Sequence, residues 1–184
     1  GANHDSTFNS IWVMVIANVQ SASDSIVIDG IGVTEGFASF SLGGSVNGIA
    51  VDGTKGGGAT FIQSSVAIDV RNCVFYRNSA VGYGGGLAIM GASPRFTNTR
   101  ISDNFSSRGA GMHIVNSNSV FSNCIIAGNQ ASSFVSGGVT GGGEGGAIYT
   151  IGGSPVFVNC IFVNNLAAVR GGLAHPTISS APNF

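Results

Sequence analysis

The chain has 184 residues, of which 43% are hydrophobic and only 8% charged, and its seven basic and eight acidic residues leave a net charge of −1. That length and apolar fraction support one domain with a sizeable core, whereas ordinary globular domains carry roughly 25% charged residues. The surface must therefore be covered by Ser, Thr, Asn and Gly, and without a basic run the chain lacks the electrostatic footprint of a nucleic-acid or anionic-membrane binder. No apolar stretch approaches the roughly 18 residues of a membrane span; the longest candidate, Ile11 to Ala17, is strand-sized. There is no start methionine and no signal-peptide pattern, so the chain reads as a mature or excised segment.

In chain order, "SIWVMVIANV" reads as a strand. "SIVIDGIGVTEG" reads as an early coil with Asp29-Gly30 where later coils carry Asn-Cys, and "FASFSLGGSVNGIAVDGTK" as a loop or irregular coil. Residues 1–55 are thus expected to form irregular opening coils. From Gly56 a repeat emerges: "GGGATFI" from Gly56, "GGGLAIM" from Gly84, "GAGMHIV" from Gly109, "EGGAIYT" from Glu144 and "RGGLAHP" from Arg170. The starts are 28, 25, 35 and 26 residues apart, and the long step holds an insertion, "SSFVSGGVTGGG", over residues 132–143. A second marker recurs in phase: "NCVFYRN" from Asn72, "NTRISDN" from Asn98, "NCIIAGN" from Asn123 and "NCIFVNN" from Asn159. Between the markers, apolar residues alternate with period two, β-branched and aromatic residues abound, and no helical period of useful length exists. The unit is all-β. A repeat of about 25 residues with two or three short strands broken by Gly and Asn is one coil of a parallel β-solenoid.

Stacking coils about 4.8 Å apart turns equivalent positions into columns. Val70, Phe96, Phe121 and Phe157 form one column, and Phe75, Ile101, Ile126 and Phe162 another, both expected inside. Cys73, Thr99, Cys124 and Cys160 supply small residues for a narrow core, and the cysteines are expected reduced and buried, since side chains pointing the same way suit a disulfide poorly. Asn72, Asn98, Asn123 and Asn159, and likewise Asn78, Asn104, Asn129 and Asn165, are expected at corners, in left-handed backbone and bonded amide to amide between coils. The glycines mark a third corner needing positive φ or close backbone approach. The regular coils run over residues 56–170 and an incomplete coil over 171–184, so residues 1–184 read as one β-helix domain of a longer protein.

Catalysis on such a scaffold needs clustered carboxylates. Asp69, Asp103 and Glu144, the acids after Gly56, sit at different points of the circumference. Asp69 with Arg95, and Arg77 with Asp103, share columns and are expected as outer cross-coil ion pairs. His4, His113 and His175 are scattered; His113 is placed in the column of Ala88 and Ile148 as a solvent-facing or edge residue. No catalytic, metal or cofactor site is expected. "GGVTGGGEGG" lacks the Lys-Ser/Thr and helix of a phosphate loop and reads as a flexible insertion, and the inserted loop over residues 132–143 holds Phe134 and Val135 as candidate recognition residues.

"GGAI" at Gly145 to Ile148, with "FVNN" at Phe162 to Asn165 and "FYRN" at Phe75 to Asn78, resembles the GGAI and FxxN repeats of chlamydial polymorphic outer-membrane proteins. "GGSPVFVNCIFVNNLA" is also similar to the repeats of choice-of-anchor β-helix surface proteins of Bacteroidota. The resemblance implies a single-stranded right-handed parallel β-helix, export, and an extracellular or outer-membrane-associated location. It also implies an adhesin-like, stalk or interaction role with surface proteins, secretion-system proteins or glycans as partners. The leading expectation is therefore a non-catalytic bacterial surface module. The alternative is a carbohydrate-binding or polysaccharide-degrading β-helix protein whose site lies outside this segment. A structural repeat of a filament or secretion-system substrate is a third reading.

Overall fold

Short runs of alternating β-branched and aromatic residues form strands, and the Gly and Asn between them end each strand after two to five residues. The computed structural model describes residues 13–19, 25–38, 44–136 and 139–174. Four strands, rather than two or three, make one coil, and equivalent strands pair in parallel into four stacked sheets. The first face holds Met14–Ala17, Ala59–Ile62, Leu87–Met90, Met112–Val115, Ile148–Ile151 and Leu173–Ala174. The second holds Ser25–Asp29, Ala67–Arg71, Arg95–Thr97, Val120–Ser122 and Val156–Val158. The third holds Gly32–Thr34, Val74–Tyr76, Arg100–Ser102, Ile125–Ala127 and Ile161–Val163, and the fourth Phe37–Ala38, Ser79–Tyr83, Phe105–Arg108, Gln130–Ala131 and Leu166–Ala167.

Residues 14–38 carry one strand on each face in register with the next coil, so the opening is more regular than its sequence suggests. Asp29 pairs with Arg71, which places Gly30 rather than Asp29 opposite Asn72 and corrects the expected register by one residue. The segment after Phe37–Ala38 contains an antiparallel hairpin, Gly44–Val46 with Ile49–Val51. A second hairpin, Ser133–Ser136 with Val139–Gly142, occupies the later insertion. Both leave the stack between the fourth face and the first.

The corners turn on left-handed residues, two of them in succession at Gly152 and Gly153. At the corner between second and third faces the left-handed residue is Asn72, Asn98, Asn123 or Asn159, with φ of 54°, 51°, 54° and 52°. At the next corner it is Arg77, Asp103, Gly128 or Asn164, so the column of Asn78, Asn104, Asn129 and Asn165 lies one residue beyond the left-handed position, a correction to the sequence expectation. Those four amides instead turn inward; Asn78, Asn104 and Asn129 are buried. Asn78 Nδ2 donates to Asn104 Oδ1 (3.2 Å), Asn104 Nδ2 to Asn129 Oδ1 (2.9 Å) and Asn129 Nδ2 to Asn165 Oδ1 (2.8 Å). Each of those asparagines also bonds a backbone carbonyl of the preceding coil, as Asn104 Nδ2 does to Phe75 O at 3.0 Å. The glycine corner explains itself against this ladder: a Cβ on Gly58 or Gly86 would stand 2.8 Å from the Nδ2 of Asn78 or Asn104.

The core is the expected set of columns. Phe96, Phe121 and Phe157 stack face to face at 4.7 and 4.8 Å, and Phe75, Ile101 and Ile126 are fully buried beside them. All three cysteines are free thiols. Cys73 and Cys124 are buried, Cys160 is half-buried, and burial pushes the Cys124 thiol up to about 11, which keeps it protonated and unreactive.

Candidate functional site

The first face is buried on both sides. Leu87, Ile89, Met112 and Ile114 point into the core, while Thr60, Ala88, His113 and Tyr149 point outward from the same strands and are nevertheless buried. What covers the outer side is the residue before each glycine pair. Lys55, Tyr83, Arg108, Glu144 and Arg170 form single parallel bridges or strand pairs from coil to coil, so they stack in a fifth column along the glycine corner. Arg108 Nε bonds Glu144 Oε2 at 3.0 Å, Arg170 Nη1 lies 3.3 Å from Glu144 Oε1, and Arg108 Nη1 donates to Tyr83 Oη at 3.1 Å. Lys55 and Arg108 also lie over the Tyr83 ring, at 5.6 and 5.5 Å from its centroid.

This column corrects several sequence expectations. Gly109 pairs in the stack with Gly145, 36 residues on, so Glu144 falls beneath Arg108 and Ile148 beside Met112. His113 accordingly shares its column with Ala88 and Tyr149, not Ile148, and at 3% exposure it is neither solvent-facing nor at an edge. Its ring lies 4.6 Å from Tyr83 and 5.7 Å from Tyr149. Neither ring nitrogen has a protein partner among the described residues. Neither expected outer ion pair forms. Asp69 and Arg95 stand opposite each other in register, but the exposed guanidinium gains little from a screened surface pair. Arg77 instead lies over the ring of Tyr76 at 4.9 Å. Ion pairs form instead between Asp29 and Arg71, between Asp52 and Lys55, and from Arg108 and Arg170 to Glu144.

Desolvation, with the nearby Lys55 and Arg108 charges, lowers His113 to about 3 from an ordinary 6.5. Because the folded state refuses a proton that the unfolded chain accepts, this contribution is fully present above about pH 6.5 and is lost as pH falls toward 3. Acidification from pH 7 to pH 5 is expected to remove about 2 kcal/mol through this residue. Urea unfolding of the parent and of His113→Phe at the two pH values checks this: the variant should lose much less, and equal losses would refute the assignment.

Beside this column, the hairpin Gly44–Val46/Ile49–Val51 lies over the outer side of the first face. Val51 packs with Ala17 and Ile62 in a small apolar cluster that Val46, Ile49 and Met90 join. A clasp of amides secures the tip: Asn18 Nδ2 donates to Asn47 O and Asn47 Nδ2 to Ala17 O, both at 2.9 Å. Between the hairpin and the later coils runs an open groove of about 350 Å³. Ile49, Ala50, Asp52 and Lys55 line one wall, Ile62, Met90 and Val115 the floor, and Gln63, Gly91 and Asn116 the far corner. Asp52 is desolvated, yet bonds from Thr54 and Lys55 hold its carboxyl down at about 2.

Phe134 and Val135 lie on the Ser133–Ser136 strand, whose backbone pairs antiparallel with Val139–Gly142; their side chains, and His4 and His175, lie outside the described residues. Sequence reasoning missed the fifth column although its signal was present, one residue ahead of every glycine pair. It missed the groove because the hairpin that walls it stands outside the repeat.

Parallel strands stacked on four faces, with left-handed residues at the corners, agree with the comparison of the sequence with protein families: residues 45–179 match the model described as a right handed beta helix region. No curated protein and no solved structure matches the chain. The match spans well over half of the sequence, and the chain belongs to the right-handed β-helix family.

Proposed function

We propose that the chain is a non-catalytic interaction module of an exported, surface-displayed bacterial protein, and that the groove beside Ile49–Val51 is its contact face. The observation that carries this reading is a concave, mixed polar and apolar surface built on stacked strands, where side chains are held rigidly enough to recognise a partner at little ordering cost. The resemblance to surface β-helix repeats supports export. A second reading, glycan binding, is favoured by Asp52, Gln63 and Asn116 above the apolar floor of Ile62, Met90 and Val115, since a sugar ring offers both hydroxyls and an apolar face.

The test uses the intact chain on protein and glycan arrays beside Val115→Lys, which places a charge in the groove floor. Capture by the parent and its loss in the variant are the expected outcome, and capture that ignores the substitution would move the contact face elsewhere. Fractionation of the natural host cell checks export: the protein is expected at the surface or in the medium, and retention in the cytoplasm would overturn that part.

A further inference from the structure

The hairpin that walls the groove turns through Asn47 and Gly48, both left-handed at φ of 48° and 78°, the two-residue turn that suits the twist of paired strands. In such a hairpin the pair beside the turn, Val46 and Ile49, exchanges its backbone bonds, and the next pair, Ser45 and Ala50, directs N–H and C=O away from the partner strand. Ala50 thus presents a donor and an acceptor along the outer edge of Ile49–Val51. Among the described residues, the strand paired with Ile49–Val51 is Gly44–Val46, on its other edge. Ile49 and Ala50 line the groove.

The floor below continues an interface the chain already makes. Val46, Ile49 and Val51 pack with Ala17, Ile62 and Met90. Farther along the same face, half-buried Val115 and Ile151 take the register positions after Met90, beyond the reach of the two hairpin strands. A third strand laid beside Ile49–Val51 would extend that layer over them. We propose that the groove accepts an extended peptide segment of a partner protein as this third strand, with apolar side chains at alternate positions set down onto Met90 and Val115. A peptide backbone supplies main-chain donors and acceptors in the alternation that an edge strand requires, which a saccharide does not. The segment rests on the interaction-module reading and names the chemistry of its partner. With three residues on the edge, Ala50 supplies the main-chain bonds and the apolar floor selects the sequence.

The experiment titrates the full chain with acetyl-Lys-Val-Thr-Val-Thr-Val-Lys-amide and follows amide and methyl resonances. Saturable shifts at Ala50, Met90 and Val115 are expected. Ala50→Pro removes a donor that the hairpin does not use, at an edge position where proline is tolerated, and is expected to weaken binding about tenfold or more with the rest of the spectrum unchanged. Val115→Lys provides a second route to the same loss. Peptide binding indifferent to Ala50→Pro, or no saturable shift at millimolar peptide, would overturn the proposal. If the peptide fails while cellohexaose moves the Met90 and Val115 signals, strand pairing is refuted and the interaction module survives. If neither probe moves them and the arrays show no groove-dependent capture, both readings fall.

Discussion

Asn104→Ala is expected to destabilise the protein by about 4 kcal/mol, because it removes four hydrogen bonds of a buried amide, worth about 1 kcal/mol net apiece, and leaves the Asn78 backbone N–H without an acceptor at about 1 to 3 kcal/mol. The Asn104 side chain accepts from Asn78 N at 2.9 Å and Asn78 Nδ2 at 3.2 Å, and donates to Phe75 O at 3.0 Å and Asn129 Oδ1 at 2.9 Å. The residue is 1% exposed, so water cannot take the place of those bonds without entering the coil. Asn129 Oδ1 still receives Asn104 N at 3.1 Å and Asn78 Nδ2 still donates to Val33 O at 2.9 Å, whereas the Asn78 backbone N–H loses its acceptor. Denaturant unfolding reads the loss. Hydrogen exchange should place it in the coils holding Asn78 and Asn104, since each coil of a solenoid leans on its neighbours. A loss below about 1 kcal/mol would show that the ladder is dispensable.

Phe121→Ala should cost about 3 to 5 kcal/mol, the usual range for a fully buried phenylalanine. Phe121 is 0% exposed and sits between the parallel rings of Phe96 and Phe157, at interplanar angles of 4° and 9°. Its removal opens a hole that the two flanking rings cannot close, because each is held in register by its own strand pairing with Val120–Ser122. Phe121→Leu retains most of the volume and should cost markedly less. The midpoints of the two variants in urea separate a cavity from a general insensitivity: similar small losses in both would mean that the stack is not carrying the core. Either loss is large beside the roughly 5 to 15 kcal/mol that holds a domain folded.

How far the sequence reaches is plain from these residues. Phe96, Phe121 and Phe157, and Asn72, Asn98, Asn123 and Asn159, announce themselves by recurring in phase, because a coil of constant length must return the same residue type to the same place in the core or at the same corner. That is a one-dimensional constraint, and periodicity reads it directly. It falters at the long step. Aligning Glu144 rather than Gly145 with Gly109 moves one residue along the register, and in a strand one residue is the difference between facing the core and facing out. The same slip hid Glu144 beneath Arg108 and gave His113 Ile148 in place of Tyr149 as a neighbour.

The sequence by itself determined the all-β class, the stacked coil of about 25 residues, the aromatic core columns and the glycine and asparagine corners, since all of these repeat. Only the tertiary structure decided which amides turn inward, that Arg108 and Arg170 share Glu144, that His113 is buried between two tyrosines, and that the hairpin around Asn47 leans over the first face to wall a groove. Those features join one-off insertions to particular coils, and a contact made once leaves no period in the chain; it exists only where the stack brings the two segments together.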